Sequence, residues 1–385
     1  MKIGFVGQRG VPATFGGIER HVEEIGARLA ARGHEVHVYC RSNYVPAGTA
    51  AYRGMRLRRL PTVGTKHLDA IVHSALSTAA ALGERFDVLH YHALGPGALT
   101  PLARALSGAK VVQTVHGLDH DRRKWGGGAR WFLRSSAWLS ARVPHATVVV
   151  SQALVDHYQA RYGRAVTHIA NGVQAPAERP PPCRIAARFG LGGGDYLLFV
   201  GRWVPEKAPD LLVRAFRRLP GELRLVLVGD SSFTDGYAGR LRRLAAADPR
   251  VVLPGYVYGP LLAELYANAA AFVLPSTVEG LPLTLLEAAS YGTPVVATAI
   301  APHVEVMSGE GPGHHLFPPG DEDALVDALA RCLSDPDAER RGAADLRRQV
   351  LAGYCWDRAT DATEALYRAV LAGRLAPAPV PDAAV

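Results

Sequence analysis

Residues Phe272 to Thr298 read FVLPSTVEGLPLTLLEAASYGTPVVAT, and this stretch decides the fold. Phe272 to Leu274 is a short apolar run of strand type, broken by Glu279-Gly280. Pro282 suits the first turn of a helix, where a missing N–H costs nothing. Leu283, Leu286 and Glu287 follow at helical spacing, and Gly292 supplies a left-handed stop. Val295 to Ala297 then begins a second buried strand. Strand, turn, helix and strand in this order predict a parallel α/β sheet, and such sheets bind ligands beyond the carboxyl ends of their strands.

Two glutamates stand out in these apolar surroundings. Glu279 falls in the turn and Glu287 within the helix, so both belong near the sheet's carboxyl edge. The backbone N–H groups of Gly280, Leu281 and Leu283 are helix-start donors suited to phosphate. Carboxylates accept hydroxyls well, so the combination fits a nucleotide sugar. The plainer reading is one glutamate favoured by the helix dipole and one on the surface.

The same alternation extends in both directions. Ile3 to Val6 is a strand, Gly7, Gly10, Gly16 and Gly17 loosen the following loop, and residues 18–32 form an amphipathic helix closed by Gly33. The spacing is not Gly-x-Gly-x-x-Gly, so a dinucleotide site is not indicated. Gly16-Gly17 would instead let backbone N–H groups approach an anion, or simply let the loop turn. Further strands are expected at 36–39, 87–91, 110–115, 147–150 and 166–169. A second series follows at 197–200, 223–228, 251–253, 272–274 and 295–297. Helices at 322–334, 337–351 and 358–372 complete the chain. The proline-rich stretch around 176–190 reads as a stiff linker. These features predict an N-terminal domain over 1–175, a C-terminal domain over 191–355, a last helix (about 356–373) returning to the first domain, and a disordered tail over 374–385.

At 385 residues the chain suits two domains of ordinary size. A formal net charge of +8 fits anionic ligands or an anionic membrane surface and is too small to indicate nucleic acid. Cys40, Cys183, Cys332 and Cys355 show neither disulfide nor metal-ligand spacing, which fits a reducing, cytoplasmic setting. No apolar run is long enough to span a membrane, and no signal peptide is expected, since Met1-Lys2 runs straight into a strand.

Gly201-Arg-x-x-x-Glu-Lys207 follows the first strand of the second half. An arginine fork with a lysine point charge is the natural partner of a diphosphate, although a solvated basic loop has the same composition. Four motifs now stand in order: the N-terminal Gly16-Gly17, Thr114-Val115-His116-Gly117, Gly201 to Lys207, and Glu279 with Glu287 eight residues on. Together they resemble the retaining glycosyltransferases of the GT-B fold, in the large family-four group, over nearly the whole chain. The opening Met1 to Glu19 and the stretch from His116 to Gly126 are similar to a bacterial, rhamnosyltransferase-like branch acting in cell-surface polysaccharide synthesis.

The resemblance implies two facing Rossmann-like domains with an interdomain cleft. It implies that Arg202 and Lys207 hold the donor diphosphate, that Glu287 accepts the ribose hydroxyls, and that Glu279 faces the donor sugar with Gly280 and Leu281 beyond it. Gly16 and Gly17 would approach the phosphates by their backbone, His116 would lie beside the transferred sugar, and Tyr256-Val257 would hold the base edge. It further implies no metal or other cofactor, retention of configuration, and a glycan or lipid-linked glycan as acceptor; a small-molecule acceptor is the alternative. The chain departs from the family at Ala301-Pro302-His303-Val304-Glu305, where a glycine pair is usual.

Two features point elsewhere. His90-x-His92 with His116 and His120 could ligate a metal, as in a metal-dependent hydrolase. The stretch from Asp121 to Leu139 combines Arg122, Arg123, Lys124, Arg130 and Arg134 with Trp125, Trp131, Phe132 and Trp138. That mixture suits a membrane interface, as in a membrane-binding module or an enzyme docking on an anionic leaflet, or else an ordinary packed helix.

Overall fold

The computed structural model describes residues 1–14, 16–64, 68–119, 126–231 and 235–374. The chain divides into two compact units, Met1–Gly172 together with the chain from Trp356 onward, and Val173–Cys355.

The first unit is built on an eight-stranded sheet. Its strands are β1 (Lys2–Val6), β2 (Glu35–Arg41), β3 (Ala51–Tyr52), β4 (Met55–Leu60), β5 (Val88–His92), β6 (Lys110–Val115), β7 (Ala146–Val149) and β8 (Thr167–His168). They lie in the order β3-β4-β2-β1-β5-β6-β7-β8. Neighbours run parallel except β3 and β4, which form a short antiparallel pair. The order reverses direction between β1 and β5, and there the carboxyl ends open a crevice. Burial of Ile3, Phe5, Val88, Leu89, Val111 and Val112 explains why these strands read as continuous apolar runs. The helix Trp356–Leu371 packs on the helix Gly17–Ala31, joined by Arg28–Asp357 at 2.7 Å and Arg32–Glu364 at 2.9 Å.

The second unit holds β9 (Tyr196–Val200), β10 (Arg224–Val228), β11 (Val251–Gly255), β12 (Ala271–Leu274), β13 (Val295–Thr298) and β14 (His314–Phe317). All its neighbours are parallel, in the order β11-β10-β9-β12-β13-β14. Here the reversal falls between β9 and β12.

Three strands escape the sequence reading, β3, β4 and β14. Met55–Leu60 is MRLRRL, whose arginines mask a strand that buries only Met55 and Leu57, and His314–Phe317 begins with two histidines at the sheet edge. The stretch 176–190 is not a bare linker. It contains the helix Cys183–Phe189, and the Glu264 carboxylate accepts from the Arg184 and Ile185 N–H groups at 2.6 and 3.1 Å. Arg179 adds a 2.8 Å bond to the Ala267 carbonyl, so the prolines lie along the second unit. The tail assigned as disordered lies, from Leu375 onward, outside the described residues.

Candidate functional site

In the second unit the reversal point is lined by the loops after β9 and β12. Val200 leads through Gly201 to Arg202, which is half-buried, and on to a single 3₁₀ turn, Pro205–Lys207. Gly229, at the end of β10, has φ +134°, and a Cβ there would sit 1.9 Å from the Gly201 carbonyl oxygen. Only glycine lets the two loops approach this closely. The loop after β12 is tied across to the first by the Thr277 N–H, which donates to the Glu206 carbonyl at 2.8 Å.

That tie brings Lys207 onto Glu279, and the ammonium pairs directly with the carboxylate. Burial alone pushes the Glu279 carboxyl up; the Lys207 charge outweighs it and holds the group below its ordinary range. The Glu206 carboxylate, 2 % exposed, has both oxygens without a hydrogen-bond partner among the described residues.

Pro282 is the cap and not the first helical residue, so the helix runs Leu283–Ser290. Gly280 and Leu281 are buried just before it, and Gly292 closes it with φ +68°. Glu287 faces Tyr266, whose hydroxyl donates to its carboxylate at 2.9 Å. Burial, reinforced by that carboxylate, raises the Tyr266 hydroxyl well above its ordinary pKa, so it stays a donor. Beyond β11, Tyr256 is half-buried and Val257 buried. The Tyr256 hydroxyl reaches the Asp230 carbonyl at 3.4 Å, and Asp230 also accepts from the Trp203 N–H at 3.0 Å.

The departure at Ala301 to Glu305 places His303, fully buried, at the start of the helix Ala301–Met307. Its Nδ1–H donates to the Thr298 carbonyl at 2.8 Å, and its Nε2 has no hydrogen-bond partner among the described residues. Burial pushes its pKa down to about 4, against the opposing charge of Glu279.

In the first unit the reversal point is lined by imidazoles. Gly16 caps the helix Gly17–Ala31 with φ +108°, and a Cβ there would meet the Glu19 carboxylate at 2.0 Å. Glu19 accepts instead from the Arg9 N–H at 3.0 Å, leaving Gly16 and Gly17 exposed at the helix start. His21, one turn along, meets the Asn171 side-chain oxygen at 2.7 Å. His92 Nδ1 and His116 Nε2 stand 3.2 Å apart. Burial drives His21 down to about 4, and His90, His92 and His116 well below the ordinary histidine value, so all four are neutral at neutral pH.

The nitrogens of His21, His92 and His116 lie within 4.8 Å of one another. A metal-binding imidazole normally donates its second N–H to an orienting acceptor. His21 has one in Asn171, whereas His92 Nε2 and His116 Nδ1 have none among the described residues. An N–H···N bond accounts for the 3.2 Å contact. His90, one of the two strand histidines considered as ligands, spends both nitrogens on Tyr367 and Thr114, at 2.6 and 2.7 Å. His120 lies outside the described residues.

The comparisons with known proteins follow the same division. The family described as Glycosyltransferase Family 4 matches residues 15–175, and Glycosyl transferases group 1 matches residues 194–335. The D-inositol 3-phosphate glycosyltransferase of Geodermatophilus obscurus is 31% identical over 394 residues, covering 92% of this chain and 85% of the relative. The chain belongs to the family-four, group 1 glycosyltransferases. It is an enzyme that transfers a sugar from a nucleotide sugar, on a GT-B fold. Sucrose-phosphate synthase from Thermosynechococcus elongatus superposes with a TM-score of 0.82 at 22% identity, covering 97% of this chain and 99% of that one. HepE of Anabaena, solved with UDP and glucose, gives 0.80 at 19% identity, covering 95% and 98%.

Within this family the second-unit loops bring together Lys207, Glu279 and the Gly280-Leu281 helix approach, and leave Glu287 hydrogen-bonded to a phenol. Tyr266, Asp230, Asn171 and His21 are absent from the sequence reading. Each is joined to its partner by tertiary contact, and none carries a local signal. His303 alone had one, in the departure from the family pattern.

Proposed function

We propose that this glycosyltransferase moves a hexose or 6-deoxyhexose, rhamnose included, from a nucleoside diphosphate to a glycan or lipid-linked glycan, with retention, in bacterial surface polysaccharide synthesis. The observation that carries the donor half is the Lys207–Glu279 pair, set where strand order reverses and half-enclosed by two tied loops. Lys207 trades Glu279 for the diphosphate, Arg202 supplies a second cation, and Glu279, released, accepts hydroxyls of the sugar. Glu287 takes the ribose hydroxyls, with Tyr266 fixing its rotamer. Tyr256 and Val257 hold the base edge. In the first unit, the exposed Gly16-Gly17 N–H groups suit an anion.

In the reaction the bond from the sugar's anomeric carbon to the diphosphate oxygen breaks, and the acceptor hydroxyl oxygen bonds to that carbon on the same face. The hydroxyl proton passes to the departing phosphate oxygen. Negative charge grows on the leaving group, and fixed cations oppose it without reorganisation. His116, neutral in the first unit, is a hydrogen-bond partner suited to a hydroxyl. No step assigned to these residues uses a metal.

The Geodermatophilus relative supports a second reading for the acceptor, a small phosphorylated polyol, because its name specifies D-inositol 3-phosphate. Purified protein incubated with UDP-, GDP-, ADP- and dTDP-sugars, with and without chelator, tests the donor half. Slow hydrolysis of one donor, unaffected by chelator, is expected. Hydrolysis of none, or hydrolysis that requires a divalent ion, would contradict it. Competition between a polyol phosphate and a lipid-linked glycan then separates the two acceptor readings.

A further inference from the structure

The basic, aromatic stretch after His116 has no task in the reaction above. Its first part, Arg122, Arg123, Lys124 and Trp125, lies outside the described residues. The rest forms the helix Gly127–Ser140, which buries Leu133, Ser136, Ala137 and Ser140 against the first unit. Trp131, Arg134 and Trp138 project from the opposite side, at three- and four-residue spacing. Trp131 is 71% exposed and Trp138 50%. Trp131 and Trp138, which an ordinary packed helix would bury, are therefore on the outside. The Arg142 guanidinium lies over the Trp138 ring at 4.5 Å and continues the stripe.

A second element, not singled out in the sequence, adjoins it. The short helix Thr100–Leu106 touches the tryptophan helix and buries Thr100 and Ala103. It exposes Leu102 and Leu106, at 43% and 64%. Arg104 donates to the Val143 carbonyl and binds this helix to the turn after the other. Four of the large apolar side chains that the described residues expose thus gather on two adjoining helices. From Leu94 to Val150 the chain carries eight lysines and arginines against two aspartates, Asp119 and Asp121.

Indole rings with arginines beside them have an apolar body and a cationic rim, the combination that seats at the headgroup level of a bilayer. A protein partner would require matching acidic side chains; an anionic leaflet supplies phosphates everywhere and lets every arginine pair at once. We propose that the helices Thr100–Leu106 and Gly127–Ser140 form a docking face for an anionic phospholipid surface. The proposal takes its purpose from the lipid-linked acceptor reading, and the face is tested apart from it. Among the described residues no helix is long and apolar enough to cross a membrane, so binding here is peripheral.

Co-sedimentation with phosphatidylglycerol-containing and pure phosphatidylcholine vesicles is the test, with donor hydrolysis measured on the same preparations. Wild type should bind the anionic vesicles, ignore the neutral ones, and release as salt rises. Replacing Arg130, Arg134 and Arg142 with glutamine should weaken binding on the order of a hundredfold, each cation contributing roughly fivefold. Trp131→Ala with Trp138→Ala should weaken it about tenfold and remove the blue shift of tryptophan emission on binding. Both variants should hydrolyse donor like wild type, which also shows that they fold. Equal binding to neutral vesicles, indifference to anionic vesicles at low salt, or unchanged binding by either variant would overturn the proposal. A concentration-dependent dimer that the tryptophan variant dissolves would assign the face to a second copy instead. Vesicle binding without hydrolysis of any donor would leave the face standing and remove the donor assignment alone.

Discussion

The two units put their candidate residues at equivalent places, the point where strand order reverses, and fill those places with different chemistry. Beyond β9 and β12 stand formal charges, Lys207 against Glu279, with Arg202 two residues after the strand. Beyond β1 and at the ends of β5 and β6 stand His21, His92 and His116, three imidazoles held neutral by burial. A charged pair can exchange partners with a charged ligand at modest cost, because it arrives already desolvated and leaves one charge satisfied. Neutral imidazoles cannot hold a diphosphate, but they hydrogen-bond hydroxyls without distorting the field around a reacting centre. One scaffold used twice thus sets formal charge at one reversal point and neutral hydrogen-bonding groups at the other.

The largest expected effect follows from that division. Lys207→Ala and Glu279→Ala should each lower transfer by roughly 10²–10³ with the circular dichroism spectrum unchanged. His116→Ala removes only a neutral hydrogen bond and should lower transfer about tenfold. A steady-state comparison with saturating donor decides it. A His116 variant more damaged than the Lys207 variant would invert the assignment.

A second difference concerns acid. A histidine buried neutral protonates in the unfolded chain first, so stability falls as pH drops below the ordinary value of 6.5 toward the lowered folded value. For His21 and His303 that folded value is about 4. The first unit carries His21, His73, His90, His92 and His116 in this condition. Between pH 7 and pH 5 the Tm should fall. Hydrogen exchange at pH 5 should show the first unit opening before the second. Simultaneous opening, or earlier exchange around His303, would show that the imidazole cluster does not set acid stability.

The motifs legible in the sequence are those whose chemistry is local. Arg202 and Lys207 share the loop after β9, and Glu279 and Glu287 share the turn and helix after β12, so each pair lies within one local segment. Gly16-Gly17 is legible for the same reason, since a helix start after a glycine loop is a property of adjacent residues. The imidazole cluster was only partly visible. His92 ends β5 and His116 follows its neighbour β6, but His21 joins them from a helix and is held by Asn171, 150 residues away. His90, two residues from His92, looked like its partner and is instead consumed by Tyr367 and Thr114. Strands β4 and β14 were hidden because arginine and histidine occupy positions that an inner strand fills with valine or leucine.

A smaller effect sharpens the donor side of the comparison. Tyr266→Phe deletes the hydroxyl that holds Glu287 and little else, since the ring stays stacked on Tyr291 at 6.0 Å. KM for donor should rise roughly threefold to tenfold with kcat nearly unchanged, as for the loss of one hydrogen bond to a charged group. A fall in kcat at constant KM would place Glu287 at the reacting centre and away from the nucleoside.

The central claim is that Lys207 exchanges Glu279 for the donor diphosphate, and titration calorimetry with nucleoside diphosphates tests it most directly. The tightest binder among UDP, GDP, ADP and dTDP is measured against wild type, Lys207→Ala and Glu279→Gln. Loss of the ammonium should weaken binding roughly tenfold to a hundredfold, the value of a charge-assisted bond. Glu279→Gln frees the ammonium and removes a carboxylate facing the phosphates, so it should bind the diphosphate several times more tightly than wild type while losing transfer. Weaker binding by Glu279→Gln, or equal binding by all three proteins, would contradict the exchange.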